Sequence, residues 1–144
     1  MSDVTIDALN DLLTLEYRSL PMYLTYASPW RRPEDGRAEA TLKHIVTDQQ
    51  HMAARIVDAI QERNGAIEVG DFPMDFTDMH DLALDFLVKD MIHWQKRDIA
   101  QAEAIVAALQ GDRAARELAQ EVLGAERAHL EALQDLTVPT PAVV

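Results

Sequence analysis

The chain contains no cysteine. Disulfides, thiolate nucleophiles, iron–sulfur clusters and cysteine-based zinc sites are therefore excluded, and any bound metal must be held by oxygen and imidazole nitrogen. Glycine is scarce, with five residues in 144, and no Gly- or Ser-rich run divides the chain. Basic residues are also few: 13 Lys and Arg stand against 25 Asp and Glu, a formal net charge of −12. That balance argues against nucleic-acid binding, which needs a basic face, and against an anionic membrane surface. No apolar run approaches the roughly 20 residues of a membrane span. The opening "MSDVTIDALN" is acidic and has no apolar stretch of the kind a secretory signal carries. A single cytoplasmic domain is expected, with residues 1–136 forming it and 137–144 a short tail.

What is present is helical periodicity. Apolar residues recur at three- and four-residue spacing, and no stretch alternates as a strand does. The first helix is predicted from about Thr5 to Ala27, with Leu9, Leu12, Leu13, Leu20 and Leu24 inward. Pro21 lies inside it, removes the hydrogen bond to the Tyr17 carbonyl and predicts a bend beside Glu16. "SPWRRPEDG" (28–36) ends this helix, and the second runs from about Arg37 to Arg63. After the connection "NGAIEVGDFPMDFTD" (64–78), a third helix starts near Asp78, which can cap it, and runs to Gln110. Gly111 ends that helix, and Asp112 is placed to cap a fourth, which reaches about Leu136.

The connection lengths favour an all-α, up-down-down-up four-helix bundle with a long crossover between helices two and three. About fifteen residues can recross a bundle, whereas short connections make antiparallel neighbours. A simple up-down bundle with a long middle loop is the alternative.

Three of the five histidines follow an acid by three residues: Asp48–His51 in "DQQH", Asp90–His93 in "DMIH" and Glu126–His129 in "ERAH". One pair falls on each of helices two, three and four. Residues three apart share a helix face, so each pair can offer an oxygen and a nitrogen to one point. Helix one has Glu16 on its leucine stripe, where an isolated carboxylate is costly unless it is paired or ligated. The turn near residue 32 puts Glu16 and Asp48 at matching heights. Reflecting Glu126 through Gly111–Asp112 lands near residue 97, close to His93 and Asp98. On helix three the apolar stripe of Leu84, Leu87, Met91, Ile105 and Leu109 includes Asp98 rather than the Asp90–His93 pair, so both remain candidates. Core hydrogen bonding among these acids and histidines is the bland explanation. Di-metal bundles combine a Glu from each of two helices with Glu-x-x-His from each of the other two. Glu16, Asp48, His51, Asp90, His93, Glu126 and His129 approach that set.

Over roughly residues 7–136 the sequence resembles the ferritin-like superfamily, nearest to bacterioferritins and rubrerythrins. "LNDLLTLEYRSLPMYLTYA" looks like their first helix, "DQQHMAARIVDAIQERNG" like their second and "LGAERAHLEAL" like their fourth. The resemblance implies Glu16, His51 and His129 as terminal ligands and Asp48 and Glu126 as bridging carboxylates. It places Tyr23 beside the metals as a hydrogen-bond donor or electron source. The sequence departs from the family pattern in carrying Asp at 48 and His93 at the ungapped third-helix position, where Glu is usual. The haem-binding methionine is replaced by Gln49, and Met52 is at the wrong position, so no haem is expected. Two metal ions are implied, iron first, with manganese or zinc also compatible with the donors. Oxidase, ferroxidase or peroxidase-like chemistry on O2, peroxide or Fe(II) is the implied activity, with an external electron donor and a homodimer. A noncatalytic metal-binding or structural bundle is the rival expectation.

Overall fold

The computed structural model describes residues 3–27, 35–79 and 84–138. Five α-helices are present among them: α1 (Asp3–Tyr17), α2 (Leu20–Ala27), α3 (Gly36–Glu62), α4 (Leu84–Ala108) and α5 (Arg113–Asp135). A 3-10 turn occupies Met74–Met79 within the crossover. The side chain of Asp78, which was expected to cap helix three, and Pro29, Pro33, Pro139 and Pro141 lie outside what is described.

The first predicted helix is broken, not bent. α1 closes with Arg18 N–H on the Thr14 carbonyl at 2.8 Å. Ser19 then restarts the chain as a helix cap, its hydroxyl accepting the Met22 N–H at 3.2 Å. Pro21 therefore sits in the first turn of α2, where its missing N–H would have had no partner within the helix. Asp112 caps α5 as the sequence predicts: its side chain accepts the Ala115 N–H at 3.0 Å. At the end of α3, Asn64 adopts a left-handed conformation with φ of 57°, and Gly65 N–H returns to the Ile60 carbonyl at 3.0 Å. A Cβ on Gly65 would approach an Ile6 methyl carbon at 2.9 Å, so the close pass of this turn over α1 requires glycine.

The crossover runs the length of α1, and the chain between 65 and 70 is strapped to it residue by residue. Asn10 donates to the Ala66 carbonyl at 2.9 Å and accepts the Glu68 N–H at 2.8 Å. Thr14 accepts the Gly70 N–H at 3.0 Å, and Arg18 donates to the Gly70 carbonyl at 2.7 Å. The strap thus climbs in the direction of α1 and delivers Phe72 and Phe76 to Tyr23, at ring separations of 5.2 and 5.5 Å. α1 packs against α3 and α4, and α5 against α4 and α3. This is the up-down-down-up arrangement.

The core has two main halves, with a small third cluster of Leu15, Ala102 and Leu123 beside them. One half gathers Leu9, Leu12, Leu13, Ile56, Ile60, Leu118 and Val122. The other gathers Leu20, Leu24, Ile45, Phe76, Leu84, Leu87, Met91 and Leu133. Each fully buried leucine contributes about 1.5–3 kcal/mol. At the heights between the halves, every long helix turns a polar side chain inward: Glu16, Gln49, Gln95, Glu126 and His129 are all buried.

Candidate metal centre

Glu16 and Glu126 occupy the middle of that polar layer, at 1% and 0% exposure. Both arrive by helical periodicity. Glu16 continues the Leu9, Leu12, Leu13 stripe of α1, and Glu126 follows Leu118 and Val122 on α5.

Glu126 is held from two sides. Gln95 of α4 donates through Nε2 to Glu126 Oε2 and, at 2.9 Å, to the Glu126 main-chain carbonyl. Gln49 of α3 reaches Glu126 Oε1 through Nε2 at 3.4 Å, and its own Oε1 accepts the Ser19 hydroxyl at 2.7 Å. The helix break at Ser19 therefore also orients Gln49, whose remaining amide hydrogens must face Glu126.

His129 stands one turn beyond Glu126. Its Nε2 meets Asp48 Oδ2 at 2.9 Å, and its Nδ1 lies 3.6 Å from Glu126 Oε1. Among the described residues, three buried side-chain atoms lack a hydrogen-bond partner: both carboxyl oxygens of Glu16 and Nδ1 of His129. All three belong to this layer. Buried polar atoms without partners are rare and cost roughly 1–3 kcal/mol each.

The electrostatics follow from burying acids together. Burial holds the Glu16 carboxyl well above the usual carboxylate range, reinforced by Glu126, Asp98 and Asp48. Asp98 of α4 is pushed up to about 8, by burial first and then by Glu126, with Arg97 opposing. Burial acts the same way on Glu126, but the neighbouring His129 imidazole, the Glu16 carboxyl and the Gln95 amide outweigh it, so Glu126 is lowered. His129 is raised: burial pulls it down, and Glu126 and then Asp48 more than offset that. The layer thus favours the charged form of Glu126 and of His129 and the neutral form of Glu16, so the His129 imidazole is the cationic partner its acids have among the described residues.

The residues expected from sequence divide. Glu16, Glu126 and His129 are brought together, and Asp48 joins them at the edge through His129, with its side chain 40% exposed. His51 is on the surface. His93 is also exposed and packs edge-on against Trp94 at 6.0 Å. Asp90 is half-buried. Asp98, the competing acid of helix three, is the one that faces Glu126 and Glu16. Tyr23 sits in the aromatic cluster with Phe72 and Phe76. Among the described residues no group of three or more His, Asp or Glu is assembled in metal-holding geometry.

Gln49 and Gln95 were not foreseen. Gln49 lies four residues from both Ile45 and Ala53, on the buried stripe of α3. Gln95 lies four residues after Met91 and three before Asp98 on the stripe of α4. The stripe registers could have found both, but an amide carries no chemical flag in a search for ligands.

The ferritin-like domain family model matches residues 6–140. The chain belongs to the ferritin-like family. No curated protein and no solved structure matches it significantly. The helical order and long crossover of this ferritin-like chain agree with that membership, as does the interior polar layer at mid-bundle. No helix among the described residues is long and apolar enough to cross a membrane.

A small cavity of about 110 Å³ opens beside the layer, between the end of α1, the crossover and α4. Ser19 and Asp98 line its inner side, and Arg18 and Arg97 its outer side. Both guanidiniums are laid over aromatic rings, Arg18 over Phe72 at 4.9 Å and Arg97 over Trp94 at 4.9 Å.

Proposed function

We propose that this ferritin-like protein binds a redox-active metal ion, iron first, in the mid-bundle layer, and uses it for oxidase, ferroxidase or peroxidase-like chemistry on O2, peroxide or Fe(II). One observation carries this reading: the unpartnered buried atoms of Glu16 and His129 surround the ionised carboxylate of Glu126.

The donors suit such an ion. Two ligands on one transition metal, each about 2.1 Å from it, lie roughly 3.0–3.6 Å apart. His129 Nδ1 and Glu126 Oε1 are 3.6 Å apart. Glu16, whose carboxyl faces Glu126 and whose oxygens make no hydrogen bond, would complete the set. Asp48 binds the opposite ring nitrogen of His129, the carboxylate–histidine support usual for metal-ligating imidazoles. Oxygen and imidazole donors also accept manganese or zinc. His51 and His93 are exposed and Asp90 half-buried, apart from the donors named here.

When bound, iron in such a site would supply electron transfer to dioxygen or peroxide. The chain's own contribution is positional. Gln95 and Gln49 fix Glu126, Asp48 fixes the tautomer of His129, and the two core halves keep bulk water from the layer. Asp98 stands between the layer and the cavity, where a carboxyl that carries its proton near neutral pH can pass one inward or outward. The cavity, which reaches Ser19 and Asp98 beside the layer, has room for a small oxidant. An external electron donor and a homodimeric assembly belong to the same proposal.

The test is anaerobic addition of Fe(II) to metal-free protein, followed by metal analysis and by absorbance after O2 or peroxide is admitted. Bound iron and a new ligand-to-metal band are expected. Protein that retains no iron, or retains it inertly, would reduce the layer to hydrogen-bonded packing.

A further inference from the structure

We infer that the centre takes one metal ion and not a bridged pair, because the amides of Gln95 and Gln49 close the second position. This rests on the metal-binding reading above and specifies its stoichiometry. A carboxylate bridging two metals gives one oxygen to each. The two oxygens of Glu126 are not equivalent. Oε1 faces the unpartnered Nδ1 of His129, and the Gln49 amide reaches it only at 3.4 Å, beyond the usual 2.7–3.2 Å range. Oε2 is taken by Gln95, which is anchored a second time by the Glu126 main-chain carbonyl at 2.9 Å. An ion at Oε2 would have to displace a donor that is held at two points and buried to 2% exposure.

The amides come from two helices: a neutral glutamine from α3 and another from α4 take the positions in contact with Glu126, and the acids of those helices, Asp48 and Asp98, stand to either side. Gln49 cannot simply turn its oxygen to a metal, since that oxygen accepts the Ser19 hydroxyl at 2.7 Å. Ser19 in turn is fixed as the cap of α2 through the Met22 N–H. The imidazoles that would terminate a second coordination sphere, His51 and His93, are at the surface.

Metal-free protein loaded anaerobically with Fe(II), desalted and analysed should retain a single equivalent per chain. Loaded instead with Mn(II), it should give the isolated six-line electron paramagnetic resonance spectrum of a lone ion. Gln95→Glu, which exchanges the N–H donor at Oε2 for a carboxylate, should raise the count to two and broaden the Mn(II) spectrum through coupling. Two equivalents or a coupled spectrum in the unaltered chain would overturn the inference while leaving the metal-binding reading intact. So would a Gln49→Glu, Gln95→Glu double variant with unchanged circular dichroism that still holds one ion. Retention of neither metal would overturn both. The measurements on the unaltered chain do not depend on any variant folding.

Discussion

Glu16 and Glu126 face one another in the interior of the bundle, both essentially without solvent, and among the described residues share no cationic side chain except the imidazole of His129. Two carboxyls so placed cannot both ionise cheaply in the metal-free protein, so one of them keeps its proton. The same repulsion makes the pair a strong claimant for a cation.

Replacing Glu16 with Gln preserves its shape, removes the acid and supplies an amide donor to Glu126. Metal-free Glu16→Gln is expected to be more stable than the parent at pH 7 by about 1–3 kcal/mol, since no buried carboxyl must then be held protonated. The metal-dependent rise in melting temperature should vanish in the same variant. Thermal melts with and without Fe(II) check both halves. A destabilised apo variant that still responded to metal would refute the account of Glu16.

Asp98 makes the metal-free protein sensitive to mild alkali. Its folded carboxyl titrates at about 8, against about 3.9 in an unfolded chain. Between those values the folded state holds a proton that the unfolded state has released, so the stability contributed by Asp98 falls as pH rises through that window and levels off above it. Denaturant midpoints measured from pH 4 to 9 should therefore decline, and Asp98→Asn should flatten the upper part of the curve. An unchanged slope in Asp98→Asn would place the titration elsewhere.

The opposite sign applies at the closed end of the bundle. Arg63 grips Asp112 with two N–H groups, at 2.8 and 2.9 Å, while the same carboxylate caps α5. Hydrogen bonds from Arg63, then the Ala115 N–H, hold the Asp112 carboxyl down at about 2. Its contribution is present above the unfolded value near 3.9 and is lost as pH falls towards 2. Asp112→Ala should cost about 1–2 kcal/mol at pH 7 by chemical denaturation, the usual worth of a helix cap, and should leave metal content untouched. A loss of metal in that variant would contradict the separation of this contact from the central layer.

Much of the fold was legible because helices announce themselves locally. The breaks at 28–36 and 111–112, the Asp112 cap and the length of the 64–78 connection predict a crossover bundle, and the strap of residues 66–70 along α1 is that crossover. The continuous first helix was the error of degree. Pro21 signals a disruption, but its consequence depends on Ser19 finding both a capping role and Gln49.

The site was legible only in part, and "DQQH" shows why. An acid and a histidine three apart share a face whichever way the helix is turned, so the spacing is silent about direction. Packing of Ile45, Ala53, Ile56 and Ile60 into the core sets the rotation of α3, and it points Gln49 inward, Asp48 to the edge and His51 to solvent. On α4 the same reasoning favours Asp98 and Gln95 over His93.

The sequence by itself determined the helical class, the order and ends of most helices, and the inward position of Glu16, Glu126 and His129. Those follow from local periodicity and from polar residues that interrupt an apolar stripe. Only the tertiary structure decided which neighbours those three residues meet. A helix turns about 100° per residue, so small changes in how four helices pack decide whether a carboxylate, an imidazole or an amide closes the centre. In this bundle, two of the groups that meet Glu126 are amides.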